Sequence, residues 1–227
     1  MDIPRPAVPS ERLGGWRETD ATIEQAFSTP IVTVYTHTVV FEETTVRTEI
    51  RETTGYDHPW QFFFVSRIRL DPQRDPGTML TKLVRRKAAA GFTDRLADRG
   101  IKQVTERDRR EQPIGDAPGL VVSYRGVVRR SISPADSTAG STDGDDANAG
   151  DPDDAAALLS LPTTAVVAIW AAGGDYHVAG GGVPAGPPDS GPPAVVDAIG
   201  EHLDPAAARQ RVGALIDACG RTTASSE

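Results

Sequence analysis

The 227 residues allow one large domain or two small ones, and the single cysteine, Cys219, excludes an internal disulfide. The longest apolar run, near AVVAIWAA, is far short of the ~20 residues a membrane helix needs, and the start MDIPRPAVPSERLGG lacks an apolar secretory core. These features predict a soluble, cytoplasmic chain with no membrane partner, and its 32 acidic against 24 basic side chains make it acidic, with net charge −8.

In chain order, residues 1–29 read as a Pro-rich N-terminal extension ending in DATIEQAFS, a short helical candidate that Asp20 could cap. IVTVYTHTVVF (31–41) is dense in β-branched and aromatic residues and predicts a strand. TVRTEIRE (45–52) alternates, with Val46, Thr48 and Ile50 facing one way and Arg47, Glu49 and Arg51 the other, which also predicts a strand. A turn, TTGYDHP, leads to WQFFFVSRIRL (60–70). There Trp60, Phe62, Phe64, Ile68 and Leu70 share one face, while Gln61, Phe63, Val65, Arg67 and Arg69 share the other.

Residues 76–100 predict the main helix, because Leu80, Val84, Ala88, Phe92 and Leu96 recur every fourth position and Leu83 widens the stripe. IKQVTERDRR (101–110) and LVVSYRGVVRR (120–130) predict two more strands. Residues 131–154 are Ser, Asp, Gly and Ala with almost no apolar side chain, the composition of a flexible acidic insert loop. AAALLS predicts a turn or short helix. TTAVVAIWAA (163–172) and DYHVAGGGV (175–183) predict a hairpin closed by Gly173-Gly174, in which Tyr176 and Val178 face opposite to His177 and Ala179. VVDAIGEHL and PAAARQRVGALIDACG predict terminal helices, and 221–227 a frayed tail. The fold class expected is α+β: a mainly antiparallel sheet of about six to seven strands packed with helices, forming one domain over 30–220.

Charge and composition give the first functional hints. Arg outnumbers Lys 21 to 3, the acids are rich in Asp, and Ala and Gly are plentiful. That is the expected composition of a halophilic archaeal protein, whose short carboxylates hold water at high salt; a GC-rich genome would bias the chain the same way. Residues 47–130 carry 18 basic against 11 acidic side chains, and residues 131–227 carry 3 against 14.

The arginines carry the sharpest candidate site. Arg47, Arg51, Arg67, Arg69, Arg125 and Arg129 occupy alternate positions of predicted strands, which predicts an anion-binding face. The alternatives are a ladder of cross-strand ion pairs, with Glu49 and Glu106 as partners, or docking of the acidic insert on that face. High salt would weaken each phosphate contact, which disfavours nucleic acid as the partner. A second candidate polar site comprises Asp57 with His58 and Asp175 with His177. None of the four histidines falls in a metal-ligand spacing, so no metal site is expected. Cys219 ends a helix beside Asp217, where dipole and charge both oppose a reactive thiolate. No catalytic residue and no cofactor is expected.

The stretch GGDYHVAGGGVP before a C-terminal helix, together with WQFFFVSRIRL, resembles uncharacterised haloarchaeal proteins with a PsbP-like topology. That resemblance implies an antiparallel sheet between helices and a non-catalytic binding or assembly role, with a protein partner or self-association. The long acidic insert departs from the compact pattern. The function expected is therefore a binding or assembly module using its sheet and helix surface, then an anion-binding module, and last a small hydrolase.

Overall fold

The structure, a computed structural model, describes residues 3–28, 30, 32–132 and 157–224. Seven strands form one open antiparallel sheet: β1 (Trp16–Ser28), β2 (Thr33–Glu43), β3 (Phe62–Asp71), β4 (Ile101–Ile114), β5 (Ala117–Ile132), β6 (Ala157–Ala172) and β7 (Asp175–Pro184). Their order in space is β1-β2-β3-β7-β6-β5-β4. Four helices complete the fold: α1 (Thr45–Thr54), α2 (Thr78–Asp98), α3 (Pro193–His202) and α4 (Pro205–Ala224). The α+β class read from the sequence is thus the one observed.

The pleat of the strands divides the core in two. Phe62, Phe64, Ile68 and Leu70 of β3 pack with Val46 and Ile50 of α1, Phe92 and Leu96 of α2, and Val195 and Ile199 of α3. Their neighbours Phe63 and Val65 pack on the opposite face with Val212, Leu215, Ile216 and Cys219 of α4. Both faces are therefore covered, and β7, near the middle, is buried along its whole length. The two-sided pattern read from WQFFFVSRIRL is the one observed. In α2, Phe92 and Leu96 are buried as the helical stripe requires, but Leu83 is 40% exposed and does not widen it.

The hairpin of β6 and β7 turns on Gly173 and Gly174, at φ 57° and 74°. Two consecutive left-handed residues give the turn that matches strand twist, and glycine adopts it without a Cβ clash. Farther along β7, a Cβ on Gly181 would lie 2.3 Å from the Phe62 carbonyl oxygen and 3.1 Å from Val212 Cγ1. Glycine there lets β3 and α4 close on the strand.

Three sequence expectations are corrected. DATIEQAFS is not helical: residues 16–28 form edge strand β1, paired with β2 from Trp16↔Glu43 to Ser28↔Thr33. The N-terminal region thus supplies an edge strand of the sheet, and Ile3 is buried. AAALLS likewise contributes its described residues, from Ala157 on, to β6 rather than to a turn. The insert read at 131–154 lies outside the described residues except for Ser131 and Ile132, which end β5. At the C-terminus, α4 continues to Ala224, into the region read as a frayed tail.

The third correction is TVRTEIRE, which forms helix α1 and not a strand. Val46 and Ile50 are both apolar at i, i+4, a spacing that fits a helix as well as an alternating strand. The Glu43 carboxylate decides the matter by accepting the Thr45 and Val46 amides, each at 3.0 Å. It thereby satisfies helix donors that would otherwise be unpaired and places negative charge at the positive helix end. Gly55, at φ 74°, ends the helix by donating to Arg51 O at 2.7 Å. Glu43 is itself buried, so Glu43→Ala is expected to cost about 2 kcal/mol. Urea unfolding checks this, and the loss of helix should show in the Thr45 and Val46 amide exchange rates.

Both edge strands carry charges and register shifts. β1 is irregular between Glu18 and Asp20 and between Gln25 and Phe27, and it carries Arg17, Glu18, Asp20 and Glu24. β4 is irregular between Lys102 and Thr105 and between Glu106 and Asp108. Such edges resist addition of a foreign strand.

Candidate ligand-binding cleft

The sheet brings four of the sequence-predicted residues together. β3 and β7 are neighbours, with Arg67 opposite His177. Arg67 donates through Nε to Asp175 at 2.5 Å, and Arg69 donates to the same carboxylate through Nε at 3.0 Å and Nη2 at 2.8 Å. The Asp175 side chain has no exposed surface. Burial acts to raise its pKa, but the bonds from Arg69 and Arg67 outweigh this and hold it below the usual carboxylate range. His177 stacks on Trp170, with ring centroids 5.5 Å apart, and its Nε2 donates to Ala172 O at 3.3 Å. Burial lowers the His177 pKa to about 4, so the ring is neutral at pH 7. On the other side of Arg67, His37 Nδ1 donates to Ile3 O at 3.0 Å. Asp175 thus gives Arg67 and Arg69 one shared counter-charge, and His37 ties the N-terminal segment to the sheet.

The other predicted residues lie elsewhere. Arg47 and Arg51 are on α1, across the sheet from Arg67, Arg69, Arg125 and Arg129, so the six arginines do not form one face. Arg47 is held by Asp57, at 2.5 and 2.9 Å, and by Glu42 at 3.0 Å. Arg125 and Arg129 are exposed on β5, opposite Thr105 and Ser160 respectively, and form no ion pair among the described residues. His58 is buried edge-on to Trp60 at 4.9 Å. Burial, with Arg130 and Arg47 nearby, lowers its pKa to about 4. Trp60 belongs to the α1–α3 side of the core, whereas Trp170, beneath His177, belongs to the α4 side. Asp57/His58 and Asp175/His177 are therefore two separate groups. Glu106 pairs with Arg109 and Glu49 with His202, not with the predicted arginines. Cys219 is fully buried, and burial pushes its thiol up to about 12, a thiol with no thiolate at neutral pH. Among the described residues, no three His, Cys, Asp or Glu side chains converge as metal ligands.

A concave site does exist, and the sequence did not point to it. The last turns of α2 meet the start of β3 and the middle of β1 and β2. Between them lies a cleft of about 300 Å³. Phe62, Phe64, Val40 and Thr38 of the sheet form its floor, with Phe92 and Leu96 of α2. Phe64 and Phe92 stack at 5.5 Å. Thr38 is buried and hydrogen-bonded to Ser66 at 2.5 Å. The rim is charged. Arg95 Nη2 donates to Glu24 Oε1 at 3.0 Å, tying α2 to β1, and Arg99 lies 3.6 Å from Glu42. The Arg99 guanidinium also sits over the Phe62 ring, 4.4 Å from its centroid. Burial lowers the Arg99 pKa, against the attraction of Glu42. Asp20, Thr22 and Asp98 complete the rim. An aromatic floor with a few polar groups at the mouth is the usual make-up of a small-molecule site, and 300 Å³ is at the small end of such sites.

A family model matches residues 5–220, from before β1 into α4. The chain belongs to the DUF6517 family. That family is described as a domain of unknown function. No curated protein and no solved structure matches. The DUF6517 match spans every element of the cleft, including β1.

The cleft residues of this DUF6517 chain were hidden for two reasons. Once DATIEQAFS is read as a helix, Thr22 falls on the side opposite Asp20 and Glu24. In β1 they alternate along one face and all reach the cleft. Arg95 lies in the last turn of α2 and Arg99 caps it, where charged side chains are ordinary. Their i, i+4 spacing beside Phe92 and Leu96 was the signal available.

Proposed function

We propose that the protein is a binding module that takes a small ligand into the cleft between α2 and β1–β3. One observation carries this: a cleft of about 300 Å³ with a floor of Phe62, Phe64 and Phe92 and a charged rim. Two others favour it over the alternatives. The charged, irregular edges of β1 and β4 work against assembly by strand addition. The arginines of the predicted anion face are split across the sheet, and Arg47, Arg67 and Arg69 already have carboxylate partners. The PsbP-like resemblance, with its binding role, is in keeping with this reading.

The test is a fragment screen followed by amide chemical shifts. Ligands of the protein are expected to move the Thr22, Thr38, Arg95 and Arg99 amides. Thr22→Trp places an aromatic ring in the cleft at an exposed strand position that tolerates it, and is expected to abolish those shifts without loss of stability. Hits that ignore this variant, or that map elsewhere, would sink the proposal.

A further inference from the structure

We infer that the cleft selects an organic cation, a protonated amine carried on an apolar or aromatic body; the inference rests on the binding reading above. The argument is one of charge. Each arginine of the rim has a carboxylate partner: Arg95 has Glu24 and Arg99 has Glu42. Two acids at the mouth are left over. Among the described residues Asp98 is exposed and makes no ion pair, and Asp20 accepts the Thr22 hydroxyl, at 2.9 and 3.0 Å, and attracts Arg99 without an ion pair to it. The side chains lining the cleft include the carboxylates Asp20, Glu24 and Asp98 against the guanidinium groups Arg95 and Arg99, so its mouth is negative.

The floor fits the same ligand. The Arg99 guanidinium over Phe62 shows that a ring face in this cleft accepts a cation, which aromatic faces attract through their quadrupole. An amine could therefore set its charge between Asp20 and Asp98 and lay its body along Phe64 and Phe92. A carboxylate ligand would add negative charge beside Asp20, Glu24 and Asp98, and the cations that could answer it are already engaged. A bare metal ion would leave the apolar floor unused.

Three matched probes separate these cases by calorimetry at low salt and neutral pH: 2-phenylethylamine, 2-phenylethanol and phenylacetate. The amine is expected to bind about fivefold tighter than the alcohol, since exposed charge pairs contribute modestly, and phenylacetate is expected to bind most weakly. Asp20→Asn with Asp98→Asn should bring amine and alcohol together while leaving alcohol binding in place, and high salt should shrink the amine's advantage. Both positions are exposed, so the fold does not depend on them. If the alcohol or the acid binds as tightly as the amine, the cation inference fails and the cleft reading stands. If no probe binds at millimolar concentration, the inference fails on its own, and the Thr22→Trp screen judges the cleft separately.

Discussion

Replacing Asp175 with asparagine is expected to lower the unfolding free energy by about 3–5 kcal/mol, the range for breaking a buried ion pair from one side. The carboxylate has no exposed surface, and its partners Arg67 and Arg69 are only 23% and 21% exposed. Asparagine keeps the shape but removes the charge, and its amide nitrogen turns donors toward guanidinium donors. Mostly buried Arg67 then loses its carboxylate, and Arg69 loses the one it shares with Arg67. Denaturant unfolding at neutral pH measures the loss. A control distinguishes lost charge from lost packing: Asp175→Leu together with Arg67→Met and Arg69→Met should recover much of the stability, because an apolar trio leaves no orphaned charge. A cost below about 1 kcal/mol for Asp175→Asn would mean that solvent screens the cluster as it does a surface pair.

That cluster also shows how far the sequence could be read. Arg67 and Arg69 were picked out on one strand, and Asp175 and His177 on another, 108 residues from Arg67 to Asp175. Local pattern gave each pair its face. What joins them is the strand order β2-β3-β7-β6, which puts the last hairpin beside β3, and no local periodicity encodes that neighbour. The hairpin itself was legible because Gly173-Gly174 has a stereochemical reason to turn. Strand β1 was not, since none of its residues is buried and no apolar alternation marks it; its strand state comes from backbone pairing with β2. In α1 the local signal was ambiguous, and a side chain just outside the segment, Glu43, resolved it. The cleft needs both β1 in place and α2 laid over β3, so it was invisible until both were known.

Acidification supplies the second large effect. His58 and His177 are buried on opposite sides of the sheet, each with its pKa lowered from 6.5 to about 4, chiefly by burial. For His58, Arg130 and Arg47 push the same way and Asp57 opposes; for His177, Arg67 adds to burial, while the bond to Ala172 O and Asp175 oppose it. Between those two pH values the unfolded chain binds a proton at each histidine and the folded chain does not. Stability is therefore complete above about pH 6.5, falls as pH drops toward 4, and gains no further loss from these groups below that. By pH 4.5 each histidine is expected to remove about 2–3 kcal/mol. Together they remove a large part of the stability of an ordinary domain, so the protein should be markedly less stable in mild acid. Asp175 and Asp57 act in a separate window: their lowered pKa values add stability above the ordinary 3.8 that is lost only as pH falls below it. Stability should thus stay level from pH 7.5 to about 6.5 and then decline steadily toward 4.5, before the Asp175 and Asp57 window opens. His177→Gln and His58→Gln should each remove about half of the slope, whatever they do to stability at pH 7.5. A stability that stays level down to pH 4.5 would show that both rings titrate as exposed histidines do, and that neither side of the sheet is as closed around them as the geometry requires.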